Sequence, residues 1–243
     1  MTTFVLVHGG AHGAWCWDDC ACHLQQLGHH AVSFDLPGHG RDATPRGRVR
    51  LDDYAAAIRT RLKQTDDCAP VLVGHSLAGI AIARALEHDP APIERLILVA
   101  ALVLKRGEKG IDQIPESRRQ MYVELAEASL ERSINLTPGM SRNLFFHDLD
   151  DARARHFQSL LTPQPLAIYL DPCRFELSAL SCPRHYLACR NDQALGLETS
   201  MKFSDRLGGS LDILEAGHDV MLSQPVQLAR CLIAHTGTQP RRS

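Results

Sequence analysis

The 243-residue chain has no long apolar run and no excess of either charge. Its longest nearly continuous apolar stretch, Leu96–Leu104, has nine residues, about half of the ~18 that a membrane-spanning helix needs. Lysine and arginine total 26 against 28 acidic residues, so we expect no binding of nucleic acid and no attraction to an anionic membrane. No basic region precedes the first apolar segment, and we therefore expect no signal peptide and a cytoplasmic location.

Motifs that hold phosphates, dinucleotides or catalytic zinc are also missing. The glycine-rich stretch His8–Gly13 is not followed by Gly-Lys-Ser/Thr, and no two of its glycines have Gly-x-Gly spacing, which a dinucleotide-binding loop would need. None of the 13 histidines belongs to a His-Glu-x-x-His motif. We expect neither a cofactor nor a metal in the reaction.

Eight cysteines raise the question of disulfides or zinc. In a chain of this length without a secretion signal, the expected state is reduced thiols that serve as small buried apolar side chains. Cys16, Cys20, Cys22 and His23 form one group with possible metal-ligand spacing. No second ligand pair follows at zinc-finger spacing, so we disfavour a metal there.

Short apolar segments alternate with segments of helical period along most of the chain. Such alternation predicts an α/β fold with a mostly parallel central sheet, flanked by helices and linked by right-handed crossovers. The predicted strands are residues 4–7, 31–34, 71–73, 96–99, 184–188 and 211–214, and the predicted helices around them are residues 17–27, 51–62, 77–86, 198–207 and 225–235.

The alternation stops between about residues 105 and 180. Charged helical segments at 117–132 and 149–161 are separated there by prolines and glycine. We interpret 105–180 as a helical cap inserted into an α/β core made of residues 1–104 and 181–243. The polar end of the chain, 236–243, is expected to fray.

The segment Gly74–Gly79, Gly-His-Ser-Leu-Ala-Gly, lies between a predicted strand and a buried helix. A sharp strand-to-helix turn exposes a serine hydroxyl and needs small neighbours, as in a nucleophile elbow. Ala78 departs by one methyl group from the usual Gly-x-Ser-x-Gly pattern. Ser76 is therefore the candidate nucleophile, although small residues at such a turn can also serve packing alone.

The glycine-rich turn after the first strand can direct backbone N–H groups into a crevice. Such groups can stabilise a developing oxyanion. If Ser76 is a nucleophile, the N–H groups of Gly10 and Leu77 are the predicted donors. His12 and His75 are candidates for contact with substrate, whereas His8 is expected to hydrogen-bond inside the loop and His39 to fix a turn.

A nucleophilic serine needs a base, and the base needs a carboxylate to orient it. His218 follows the predicted strand at 211–214, and Asp192 follows the strand that ends near residue 189. Parallel strands bring both following loops to the edge where Ser76 lies, so we predict a Ser76–His218–Asp192 triad. Asp212, inside a strand, and Glu215, at its end, are less suitable alternatives for the acid.

Several motifs together resemble a branch of the α/β-hydrolases that contains plant methylesterases, hydroxynitrile lyases and bacterial esterases, including pyrethroid-type hydrolases. The resemblance extends over residues 3–236 and implies the α/β-hydrolase fold with the site residues named above. The motifs that carry it are residues 6–17, 35–40, 74–79, 160–166, 191–193 and 217–225.

The resemblance implies an esterase rather than a lyase. Hydroxynitrile lyases of this branch have a threonine after the first loop histidine and a lysine after the catalytic histidine. This chain has Gly9 and Asp219 at those positions, and a carboxylate would repel cyanide. A lyase that uses the same triad, and a non-hydrolytic ligand receptor, stay as alternatives.

The substrate pocket is expected between the sheet edge and the cap. Few charges fall among the candidate wall residues, so we predict that the substrate is a small, neutral, fairly hydrophobic ester. We expect the protein itself to be a monomer or a homodimer. Some of these residues could equally be plain core. The candidates are Leu144, Phe145, Phe146, Leu166 and Ile168.

Overall fold

The computed structural model describes residues 1–65, 69–87 and 92–236. The strands are β1 (Thr3–Val7), β2 (His30–Ser33), β3 (Val71–His75), β4 (Arg95–Val99), β5 (Ser133–Ile134), β6 (Gln164–Pro165), β7 (Arg184–Cys189) and β8 (Ser210–Leu214). The helices are α1 (Asp18–Gln26), α2 (Leu51–Lys63), α3 (Ala78–Ala85), α4 (Glu116–Glu127), α5 (Pro138–Leu144), α6 (Asp151–Leu160), α7 (Ala167–Leu170), α8 (Leu197–Leu207), α9 (Val220–Ser223) and α10 (Pro225–Ala234).

Six parallel strands form the central sheet in the order β2-β1-β3-β4-β7-β8. The strand β3 occupies an inner position, and every one of its residues is buried. Burial on both faces explains why the inner strands are largely continuous apolar runs, whereas the edge strands β2 and β8 are partly exposed. The predicted parallel sheet of an α/β fold is confirmed.

Successive side chains of the inner strands enter two separate cores. Val5 and Val7 of β1 pack on the face covered by α2, α3 and α8. Phe4 and Leu6 point to the opposite face, where α1 and α10 lie. The two-residue period of a strand thus supplies both layers from one short sequence.

The third strand runs two residues further than the apolar pattern predicts. Gly74 and His75 pair with Leu98 and Val99 of β4, which carries regular structure directly up to Ser76. The elbow therefore begins without an intervening loop, and this fixes the position of the serine.

Residues 105–180 contain α4 to α7 and a two-stranded antiparallel sheet of β5 and β6. The helix predicted to reach residue 132 ends at Glu127. The chain then turns, and Arg132 at the end of this turn has a left-handed φ of 51°. The sequence prediction also missed α5, although its Thr137 N-cap accepts a hydrogen bond from Met140 N–H and Pro138 follows at the first helical position.

The end of the chain that we expected to fray lies, from residue 237 onward, outside the described residues. One of the eight cysteines, at position 68, is outside them as well. Over the described parts of the chain, no helix combines the length and apolarity needed to cross a membrane.

Candidate active site

Ser76 occupies the sharp turn between β3 and α3 with a left-handed φ of 53°. A non-glycine residue in this region is strained, and such strain persists only where neighbouring bonds enforce it. Here Ser76 N–H donates to Val99 O at 3.1 Å, and Ser76 O accepts from Leu102 N–H at 3.0 Å. The end of β4 and the segment after it therefore hold the serine in its exposed position.

The small residues around the elbow are sterically required. A Cβ on Gly79 would lie 2.1 Å from Leu102 O, and one on Gly74 would lie 2.4 Å from Ile82 Cδ1. The first contact is with backbone, which cannot rotate away as a side chain can. The turn therefore tolerates Ala78 but depends on Gly79.

A chain of hydrogen bonds joins the three residues predicted to form the triad. Ser76 Oγ lies 3.0 Å from His218 Nε2, and His218 Nδ1 lies 2.8 Å from Asp192 Oδ2. The other carboxylate oxygen accepts from the N–H groups of Ala194 at 2.7 Å and Leu195 at 3.0 Å. With Asp192 fixed in this way, Nδ1 of His218 donates and Nε2 is left to accept from the serine hydroxyl.

The two alternative acids lie elsewhere. Asp212 contacts His235 Nε2 at 2.8 Å, and Glu215 pairs with Arg190 at 2.5 Å on the surface. The structure thus brings Asp192, and not its two rivals, to the imidazole of His218.

The charges of this pair reinforce each other. Burial disfavours the imidazolium of His218, but the carboxylate of Asp192 outweighs that effect and raises the pKa of His218 above its ordinary value. Burial likewise opposes ionisation of Asp192, yet His218 and two backbone N–H groups lower the pKa of this carboxyl overall. Asp192 is therefore a carboxylate at neutral pH, suited to stabilise a transient positive charge on His218.

Gly10 follows β1 and lines the same cavity as Ser76. The position that a Cβ on Gly10 would take lies 3.2 Å from the Leu77 side chain, so the two predicted oxyanion donors belong to adjacent segments. Ala11, the next residue, has a left-handed φ of 66°. Its N–H donates to Gln164 Oε1 at 3.0 Å, and its carbonyl accepts from Thr162 N–H at 2.8 Å. Residues 162–164 thus hold the glycine-rich loop after β1 in place.

Two of the residues predicted to touch substrate face the protein interior instead. His12 places Nδ1 2.8 Å from Gly10 O and Nε2 2.9 Å from Asp219 Oδ2. His75 places Nε2 3.1 Å from His218 O and 3.6 Å from Asp219 Oδ1. Both rings are buried and make these contacts below the site, and neither is among the residues that line the cavity.

Asp219 is ionised at neutral pH, whereas the neighbouring ring of His75 is neutral. Burial opposes ionisation of Asp219, but His12, His75 and His218 together outweigh burial, and the pKa of this carboxyl is lowered. Burial lowers the pKa of His75 to about 3, so that ring stays neutral. Sequence reasoning used Asp219 only as an argument against cyanide chemistry and missed its contact with the first loop, since nothing local links two positions 207 residues apart.

His8 hydrogen-bonds inside its own loop, as predicted, with Nδ1 2.8 Å from Gly9 O, whereas the side chain of His39 reaches beyond its own turn. His8 Nε2 accepts from Leu36 N–H at 3.0 Å, and its burial lowers the pKa to about 4. His39 joins Tyr54 Oη at 2.5 Å and Thr162 Oγ1 at 2.7 Å.

A cavity of about 320 Å³ opens above Ser76. Of the predicted wall residues, Phe145 lines it and stacks on the His218 ring at a centroid distance of 5.6 Å. Phe146 and Leu166 were wrongly placed, because Phe146 turns into the core beneath the sheet edge and Leu166 packs within the 105–180 segment. Leu144 and Ile168 are not among the lining residues either. Those residues are Gly10, Ser76, Leu102, Asp112, Gln113, Ile114, Pro115, Arg118, Tyr122, Phe145, Tyr169, Ala194, Leu195 and Thr199.

The cavity wall is more polar than the sequence suggested. Asp112, Arg118, Tyr122 and Tyr169 all reach it from the 105–180 segment. Arg118 donates to Ala194 O at 2.5 Å and so ties α4 to the loop that carries Asp192. Two charged residues, Asp112 and Arg118, therefore border the cavity beside the apolar ones, and neither was among the wall residues that we predicted.

The cysteines considered as metal ligands do not converge. Cys16 and Cys20 are buried, whereas Cys22 is exposed and His23 Nδ1 bonds to Gln26 Oε1. Burial raises the pKa of Cys20 to about 12 and that of Cys16 well above its usual value, so both are thiols. Among the described residues, the groupings compact enough to hold an ion are His75–His218–Asp219 and His185–Asp212–His235, and neither includes these cysteines.

A serine at a strand-to-helix elbow, with a buried histidine–aspartate pair beside it on a parallel sheet, defines the class of α/β hydrolases. Residues 4–230 match the family described as the alpha/beta hydrolase family, and the chain belongs to it.

Named relatives agree with this assignment. Methylesterase 18 of Arabidopsis thaliana is 38% identical over 183 residues, which cover 69% of this chain and 70% of that protein. A carbendazim hydrolyzing esterase of Nocardioides sp. (strain SG-4G) is 27% identical over 242 residues, covering 96% and 99%. These names confirm the predicted branch and the predicted class of ester-hydrolysing enzyme.

Solved structures share the fold at low identity. An extracellular alpha/beta-hydrolase from a Paenibacillus species, described as sharing structural and functional homology with Tobacco Salicylic Acid Binding Protein 2, superposes with a TM-score of 0.89 at 24% identity. The match covers 98% of this chain and all of that one. A pyrethroid hydrolase from Sphingobium faniae JZ-2 superposes with a TM-score of 0.81 at 22% identity and covers 96% of each chain.

Proposed function

We propose that this enzyme hydrolyses carboxylic esters through an acyl-enzyme on Ser76. The observation that carries the proposal is the unbroken sequence of contacts from Ser76 Oγ to His218, 3.0 Å, and from His218 to Asp192, 2.8 Å, beside a cavity. These distances lie within the range that a nucleophile, its base and an orienting acid require.

In the first half of the reaction, Ser76 Oγ attacks the ester carbonyl while His218 Nε2 takes the hydroxyl proton. The N–H groups of Gly10 and Leu77 bind the oxyanion of the tetrahedral intermediate. Asp192 keeps the proton on Nδ1 and stabilises the imidazolium, which is consistent with the raised pKa of His218.

In the second half, the imidazolium of His218 gives its proton to the departing alcohol. A water molecule then takes the place of the alcohol, and His218 removes its proton as it attacks the acyl group on Ser76. Collapse of the second tetrahedral intermediate returns the proton to Ser76 and releases the acid.

We infer a small ester as substrate, since the cavity of about 320 Å³ lies at the low end of the range for small-molecule sites. Much of the wall comes from residues 112–122, inside the segment that we interpret as a cap. Arg118 and Tyr122 there provide hydrogen-bond donors. A neutral ester with a polar acyl or alcohol part fits this lining better than a purely hydrocarbon one.

The lyase alternative lacks support from the geometry. Asp219 is a buried anion beside the catalytic histidine, and Gly9 has no side chain to bind a cyanohydrin hydroxyl. A Cβ added to Gly9 would lie 2.9 Å from Ser76 Cβ, so a larger residue there would disturb the nucleophile.

A series of p-nitrophenyl esters from acetate to octanoate tests the proposal. We expect turnover with an acetate or butyrate optimum, complete inactivation by a fluorophosphonate, and the label on Ser76 by mass spectrometry. Ser76→Ala should fold normally, by circular dichroism, and lose turnover. Cyanide release from a cyanohydrin without ester turnover would support the lyase, and stoichiometric alcohol release without turnover would support the receptor.

A further inference from the structure

Tyr169 brings a phenol to the oxyanion loop, and sequence reasoning gave it no function. It lies in α7, and its side chain lines the cavity together with Ser76 and Gly10. Its Oη is 3.4 Å from the position that a Cβ on Gly10 would take. The hydroxyl therefore lies beside the residue whose N–H is the proposed oxyanion donor.

Hydrogen bonds to the oxyanion loop fix the segment that carries this phenol. Thr162 N–H donates to Ala11 O at 2.8 Å, and Ala11 N–H donates to Gln164 Oε1 at 3.0 Å. Gln164 Nε2 in turn donates to Tyr54 Oη at 3.3 Å. Because both backbone groups of Ala11 are bonded to residues 162–164, Gly10 and Tyr169 keep a defined separation.

The chemical state of the phenol suits donation. Burial raises the pKa of Tyr169 well above its usual value of 10.0, so the hydroxyl keeps its proton at neutral pH. Within residues 1–65, 69–87 and 92–236, no protein group forms a hydrogen bond with this hydroxyl, in contrast to Tyr186 Oη, which donates to Ala101 O at 2.8 Å. A donor that faces the cavity beside Gly10 is thus available to a bound molecule.

We propose that Tyr169 is a catalytic residue that donates its phenolic proton in a hydrogen bond to the carbonyl oxygen of the bound ester, as a third donor beside Gly10 and Leu77. This inference rests on the proposed esterase function. No bond of the tyrosine breaks, and its O–H bond is conserved throughout. As the carbonyl oxygen becomes an oxyanion, the hydrogen bond becomes charge-assisted and strengthens, which lowers the barrier rather than only binding the substrate.

Tyr169→Phe removes one oxygen atom and keeps the ring. We expect kcat for p-nitrophenyl acetate to fall about 10- to 100-fold. This loss is at or below the usual loss for one oxyanion donor, because the two backbone N–H groups remain. KM should change less than about threefold, since the uncharged carbonyl gains little from the third bond.

A trifluoromethyl ketone supplies a readout besides turnover. Its carbonyl adds to Ser76 and forms a tetrahedral oxyanion, so its affinity for Tyr169→Phe should fall by a factor similar to that for kcat. Tyr186→Phe is the matched control, because it loses the same hydroxyl in the core and should keep wild-type kcat. Circular dichroism and melting curves of both variants exclude misfolding.

Each result decides the matter. A folded Tyr169→Phe enzyme with wild-type kcat, or one in which only KM rises, overturns the inference while the esterase proposal stands. A matching loss in kcat and ketone affinity supports it. A wild-type enzyme that hydrolyses none of the esters overturns the proposed function and this inference with it.

Discussion

His12 and Asp219 form a fully buried contact of 2.9 Å beneath the catalytic site. The other ring nitrogen of His12 lies 2.8 Å from Gly10 O. The His12 ring is therefore held between two oxygen atoms, one on the carboxylate of Asp219 and one on the carbonyl of Gly10. Through it, the residue after the catalytic histidine is coupled to the loop that holds a proposed oxyanion donor.

Asp219→Asn should therefore weaken both stability and catalysis. The amide takes away the carboxylate that the buried His12 ring contacts, and leaving a buried polar group without its partner costs about 1–3 kcal/mol in the free energy of unfolding. Loss of the anchor on Gly10 should also lower kcat more than it raises KM. Urea unfolding and steady-state kinetics at pH 7 measure the two effects.

The control for this variant is Glu215→Gln. Glu215 pairs with Arg190 on the surface at 2.5 Å, with side chains 67% and 48% exposed, and exposed pairs contribute about 0–1 kcal/mol. An Asp219→Asn protein as stable as Glu215→Gln would contradict the role of the buried contact between His12 and Asp219.

A second prediction concerns Gly79→Ala at the elbow. The new Cβ would lie 2.1 Å from Leu102 O, and relief would move the same segment whose N–H bonds to Ser76 O. We expect a melting temperature at least several degrees lower and a large loss of kcat. Gly139→Ala in α5 is the matched change, since nothing lies within 4 Å of its new methyl, and helical Gly→Ala stabilises by about 0.5–1 kcal/mol. Equal behaviour of the two variants would show that the elbow is not tightly packed.

The sequence predicted those parts of the site that depend on a short local motif or on the order of strands in a parallel sheet. Ser76 follows from small residues between a strand and a helix, and Asp192 with His218 follows from the rule that parallel strands end at one edge. Neighbouring residues with similar chemistry were harder to assign. Phe145 lines the cavity while Phe146 is buried beneath it, and only the three-dimensional path of the chain distinguishes the two.

The segment 105–180 was the least predictable part. Its elements are short, and its two-residue strands pair Ser133 with Pro165 across 32 residues of sequence. Tyr169 and Arg118 reach the cavity because of how these pieces dock on the sheet, not because of a periodic pattern of their own. The sequence therefore indicated an insertion but not which of its side chains meet the substrate.

The pH dependence of activity should reflect His218. The base must be neutral to accept the proton of Ser76, and the Asp192 carboxylate raises the pKa of His218 above its ordinary value of 6.5. Hence kcat/KM should rise about tenfold per pH unit below that pKa and reach a plateau above it. A pH profile of ester hydrolysis that levels off well below pH 6.5 would contradict the raised pKa.

Asp192→Asn tests the assignment of the acid most directly. The amide can occupy nearly the same space but cannot stabilise an imidazolium, and it can favour the tautomer in which Nε2 of His218 carries the proton. By analogy with other serine triads, kcat should fall by about 10⁴ near neutral pH. KM should change far less, because Asp192 Oδ2 contacts His218 while Asp192 is absent from the residues that line the cavity. The rising limb of the pH profile should also move to lower pH, since the carboxylate that raises the pKa of His218 is gone.

The two rival carboxylates supply the controls for this variant. Asp212→Asn and Glu215→Gln should each keep nearly full kcat, because Asp212 contacts His235 and Glu215 contacts Arg190, both away from His218. Circular dichroism of all three proteins excludes misfolding as the cause of any loss. If Asp192→Asn keeps more than about a tenth of the wild-type kcat while Asp212→Asn or Glu215→Gln loses most of its kcat, the acid is misassigned. The esterase proposal would survive such a result, since it depends on Ser76, His218 and the oxyanion loop.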